Sequence, residues 1–173
     1  MTTWDRGAIA FILALLLVLW LSGTAHAGFI FSGGCRGWDA YAYNAAVHRV
    51  ETYIMAHGYW GGFYKECTAR TFFPASNMPR SAFAFFAVCD GMNVTVKGTL
   101  AKTATESIGY YDMSRRPTCD ACWNKSLVWQ DTLFRLHGQG MSWKAAYDRS
   151  LQQYPECKPC TAYHGQSLVT RIN

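Results

Sequence analysis

The longest periodic stretch of the chain runs from Asp39 to Gly58, "DAYAYNAAVHRVETYIMAHG". Tyr43, Val47, Val50 and Ile54 recur at helical spacing between an N-cap candidate, Asp39, and a stop, Gly58, so the pattern predicts a helix over about residues 40–57. "GYWGGFYKE" and "FFPASNMPRS" then break all periodicity with glycines and prolines and read as loop. "AFAFFAVC" and "MNVTVKGTL" flank Asp90-Gly91, a turn signal, and predict a β-hairpin, with "SIGYY" as a further strand. After Pro117 helical spacing returns. Trp129, Leu133 and Leu136 share one side of a segment that stops at Gly138, and Trp143, Ala146, Tyr147, Leu151 and Tyr154 share one face of a segment that starts at Ser142 and ends at Pro155. The short link between them predicts an antiparallel helical hairpin. The expected fold class is α+β: a small disulfide-stabilised domain with an N-terminal helix, a β-hairpin or small antiparallel sheet, and that C-terminal hairpin.

Residues 1–27 have a different pattern. An apolar run too short to span a bilayer comfortably, "AIAFILALLLVLWLSG", is followed by "AHA" at Ala25 to Ala27, with small residues where a signal peptidase reads. The expectation is a signal peptide cleaved before Gly28, an uncleaved anchor being the competing reading. The rest, residues 28–173, is then one exported domain, periplasmic or secreted, with no further membrane span. The net charge of +5, from 16 Lys and Arg against 11 Asp and Glu, contains no like-charge run. That excludes the basic, aromatic-lined grooves of nucleic-acid binders.

Export changes what the seven cysteines mean. Cys119 and Cys122 open the first helix of the hairpin and Cys157 and Cys160 follow the second, so the four sulfurs converge. They could form cross-linking disulfides, two local bridges or a four-thiolate zinc site. An oxidising compartment favours disulfides and no cofactor, with zinc at these four cysteines as the minority arrangement. A thiol-disulfide exchange role for "CDAC" is disfavoured, because the strands a thioredoxin-like fold needs after its active-site helix do not follow. Among the remaining three, Cys67 and Cys89 are the preferred pair. Cys35, in the glycine-rich "SGGCRG", is left free or intermolecular, giving a possible disulfide-linked oligomer.

Candidate chemistry is sparse. Glu51 is the one carboxylate in a strongly apolar stretch and is the weak catalytic candidate for an envelope glycan hydrolase of lysozyme or transglycosylase type. A cysteine-histidine pair, Cys35 with His57 or His137, has no supporting local signature. The aromatic content, 16%, is high, and "GYWGGFY" gathers Tyr59, Trp60, Phe63 and Tyr64 as a candidate binding surface. With no assembled catalytic set, the expected function is binding or assembly in the cell envelope or outside it, with an envelope protein or glycan as partner.

Overall fold

The structure is a computed structural model that describes residues 28–59, 61–67, 71–92, 100–110 and 119–165. It contains mixed helices and sheets tied by three disulfides, and so is of the α+β, disulfide-stabilised kind. Its centre is a five-stranded sheet of β1 (Phe29–Ser32), β2 (Thr52–Met55), β6 (Ser81–Ala87), β7 (Ala104–Tyr110) and β8 (Thr161–Gly165), in that spatial order. The first four strands are mutually parallel, and β8 alone runs antiparallel, placing Thr161 opposite Tyr110. A second sheet, β3 (His57–Tyr59), β4 (Gly62–Tyr64) and β5 (Phe72–Pro74), is an antiparallel meander inserted between β2 and β6.

Two of the predicted elements are overturned. The long helix ends early: α1 spans Asp39–Val47, Arg49 takes a left-handed φ of 55°, and the chain re-enters as β2. Every residue of β2 is buried, as a parallel strand covered on both faces requires. Tyr53 and Met55 point into the helical layer and Ile54 into the opposite one. Nor is β6 the arm of a hairpin at Asp90-Gly91, since among the described residues it lies between two parallel neighbours, β2 and β7. The second arm expected there, from Asn93 to Thr99, lies outside the described residues. The segments read as loop carry the β3–β5 sheet instead.

The three α-helices among the described residues contribute to one core with the sheet. α2 (Asp120–Gly138) and α3 (Trp143–Gln153) bury Trp129, Leu133, Phe134, Trp143 and Ala146 against Tyr53, Phe83, Phe85 and Tyr110. Trp143 is held between Phe83, 3.5 Å away centroid to centroid, and His137, at 3.6 Å. The start of α3 is capped by Ser142, whose hydroxyl accepts from the Ala145 N–H at 3.2 Å. On the other face, Phe63, Ala75, Met78, Leu100 and Ala101 cover Ile54, Ala84 and Phe86. Among the described residues no helix is long and apolar enough to cross a membrane.

Candidate functional site

Parallel strands deliver their carboxyl ends to one edge of a sheet, and in open α/β sheets ligands bind there. Here β2, β6 and β7 end in Ala56-His57, Ala87-Val88-Cys89 and Tyr110. With Trp38 before α1, and Asp120 and Trp123 in the first turn of α2, they line a cavity of about 160 Å³. Trp38 meets His57 edge-on at 5.2 Å, and Trp123 stacks on Tyr41 at 6.2 Å while abutting Tyr110 at 5.9 Å. Gly58 is required at this edge, because a Cβ on it would overlap the Cys89 carbonyl oxygen.

Behind the cavity a buried polar network joins sheet to helix. Tyr53 donates to Gln130 Oε1 at 2.8 Å, and the Tyr41 and Ser126 hydroxyls are 2.6 Å apart. Burial pushes the Tyr53 and Tyr110 phenols well up from their ordinary value, with Gln130 pulling partly the other way. Both stay protonated across the neutral range, so they serve as positioning groups and not as bases.

His57 also faces outward, onto the Cys35–Cys67 disulfide. Its ring nitrogen and the two sulfurs all lie within 4.8 Å of one another, with Cys35 buried and Cys67 and His57 exposed. The bridge corrects the expected pairing: Cys35 is bonded to Cys67, not left free, and Cys89 is outside the three disulfides. The reason lies in the turn after β1. Gly34, at φ 73°, and Gly37, at φ 86°, reverse the chain before α1. Cys35 thereby meets Cys67 beyond β4 with a Cα–Cα distance of 5.0 Å. Cys89 is held instead at the exit of β6, against Gly58.

The four C-terminal cysteines pair across the hairpin, Cys119 with Cys160 and Cys122 with Cys157, with Cα–Cα distances of 5.6 and 4.5 Å. All four are buried. No sulfur of either CxxC pair is presented for exchange chemistry in this form.

Glu51 is placed as a tie between strands. Both its oxygens accept from the Ala82 N–H at 3.1 Å, and one accepts from the Phe83 N–H at 3.1 Å. It lines neither the strand-end cavity nor the groove described below. Its neighbour His48 pairs with Asp131 at 3.1 Å. The proposed aromatic surface divides. Phe63 is buried between Phe31 and Phe73, a correction to its surface assignment, while Tyr64 packs edge-on against Phe72. Tyr59 is exposed, and Trp60 lies outside the described residues.

Two of the apolar side chains that recur at helical spacing from Asp39, Tyr43 and Val47, turn outward on α1. Tyr43 is 73% exposed and Val47 57%, and with Val128, at 51%, and Leu127 they rim an open groove of about 530 Å³ between α1 and α2. Ala40 and Asn44 complete its walls, and the His48–Asp131 pair lies along it.

Sequence reasoning missed Trp38, Tyr110, Asp120 and Trp123, and assigned Cys89 to a bridge with Cys67 instead of to this cavity. A signal existed for Cys89, which closes the apolar run "AFAFFAV" where a buried parallel strand must emerge. Asp120 and Trp123 could have been placed from the helix start at Cys119; nothing local marks Trp38 or Tyr110. The site and fold define a disulfide-braced α+β protein with an aromatic strand-end cavity and a separate apolar groove. The chain matches no family model, no curated protein and no solved structure.

Proposed function

We propose that this is an exported protein that works by binding, and that the groove between α1 and α2 receives a polypeptide partner in the cell envelope. The observation that carries this reading is the groove rim. Tyr43, Val47, Leu127 and Val128 are exposed together, on two helices whose other faces are buried in the core. Clustered apolar exposure of this kind marks interaction surfaces more than ordinary solvated ones. Aliphatic Val47, Leu127 and Val128 suit apolar side chains of a protein better than sugar rings, which are held by flat aromatic faces and convergent polar groups. The three disulfides are compatible with an oxidising, extracytoplasmic setting.

The test is site-specific photocrosslinking in the source cell. A photoreactive residue at Val47 or Val128 is expected to give one discrete adduct, lost on Tyr43→Asp, with none from the exposed Asp148 on α3. No adduct, equal adducts from position 148, or an adduct at twice the chain mass would overturn the reading.

A further inference from the structure

We propose that Cys35, Cys67 and His57 form a redox-gated site for a thiophilic cation of the zinc type, closed in the disulfide state and open in the dithiol state. Three separate segments supply the donors: the turn after β1, the turn after β4 and the first residue of β3. Their ligand atoms already lie within 4.8 Å of one another. Two thiolates and an imidazole are a zinc donor set, and tetrahedral coordination places such sulfurs roughly 3.8 Å apart at Zn–S bonds of about 2.3 Å. Side-chain rotation can supply that separation from a Cα–Cα distance of 5.0 Å. Trp38, edge-on against His57, limits the ring's orientation. Because Cys67 and His57 are exposed, a fourth position stays open to solvent or to an incoming ligand. A purely structural staple beside an exposed histidine would show no metal affinity in either redox state.

The gate balances as follows. Two equivalents of a small thiol reduce the bridge, leaving Cys35 and Cys67 as thiols and the reductant as its own disulfide. Binding of a divalent cation then displaces two thiol protons, with His57 neutral. The reverse exchange with a small disulfide re-forms the bridge and releases the cation. Reduction reaches this bridge selectively, because Cys119, Cys122, Cys157 and Cys160 are buried while Cys67 is exposed.

The experiment uses the full chain, anaerobically, with cobalt(II) as the probe. Mild treatment with a small thiol is followed by alkylation mapping, to verify that only the Cys35–Cys67 bridge has opened. The oxidised chain is expected to bind no cobalt. The opened chain should bind one, with a thiolate-to-cobalt charge-transfer band. His57→Ala, with the fold checked by circular dichroism, should weaken binding by more than about tenfold, and Cys35→Ser with Cys67→Ser should abolish the band. No band on opening, an unchanged affinity in His57→Ala, or a band that survives the double serine variant would overturn the proposal.

Discussion

The two C-terminal disulfides are nested, and nesting makes their contributions non-additive in a calculable way. Cys119–Cys160 and Cys122–Cys157 span 41 and 35 residues of the same helical hairpin. In the chain-entropy picture, closing a loop of that size stabilises by roughly 4 kcal/mol. Once one bridge is closed, the other closes only a ring of about eight residues, worth about 2.5 kcal/mol on the same relation. Replacing either pair by alanine should therefore cost about 2.5 kcal/mol, because the large loop remains closed by the surviving bridge. Replacing both should cost about 6.5 kcal/mol, which exceeds twice the single cost by roughly 1.5 kcal/mol. Cavity terms from the lost sulfurs enter the single and double variants alike and leave this excess unchanged to first order. Urea unfolding followed by tryptophan fluorescence is a suitable assay, since Trp129 and Trp143 are buried in this unit. A double variant that costs no more than the sum of the singles would refute the nested-loop argument.

Glu51→Ala should lower stability by about 1–2 kcal/mol, because it leaves the Ala82 and Phe83 N–H groups without their carboxylate acceptor. Chemical denaturation measures this, and zymography on cell-wall polymer should show no clearing by the wild type. Gly58→Ala should cost at least about 2 kcal/mol, since its Cβ must displace the Cys89 backbone; a thermal midpoint unchanged from wild type would count against the close approach. His164 is held below its ordinary value of 6.5, first by burial and then by Lys102. As pH falls through 6.5 the unfolded chain therefore takes up a proton that the folded chain resists, and stability falls with it. A plot of unfolding free energy against pH should be flatter below 6.5 in His164→Gln than in the wild type.

The C-terminal half was readable because its signals are local and agree. Ser142 caps α3, Gly138 closes α2, and Trp129, Leu133, Trp143 and Ala146 fall on the buried faces their spacing indicates. The N-terminal half misled where a buried parallel strand imitates a helix. "VETYIM" places Val50 and Ile54 four apart, yet the same run alternates Tyr53 and Met55 against Ile54 across a sheet covered on both faces. The break between α1 and β2 falls at Arg49, whose left-handed φ no glycine, asparagine or proline announces. The strand-end cavity was invisible for a different reason. Trp38, His57, Cys89 and Tyr110 become neighbours only through parallel pairing, and register between strands so far apart in the chain leaves no short-range trace. Cysteine pairing failed in the same way, since Cys35 reaches Cys67 through the turn at Gly34 and Gly37 and not through proximity in sequence.

The antiparallel strand β8 starts at Thr161, the residue after Cys160, and pairs there with Tyr110 at the end of β7. The bridge from Cys160 to Cys119 thus holds the first rung of β8 against the end of β7. Without β8, the long buried strand β7 would present an unpaired row of backbone donors and acceptors, the template on which chains join edge to edge. The covalent clasp at the base of the hairpin therefore acts as a safeguard against polymerisation as well as a brace. Late oxidation of this bridge would leave such chains open to one another while still otherwise folded.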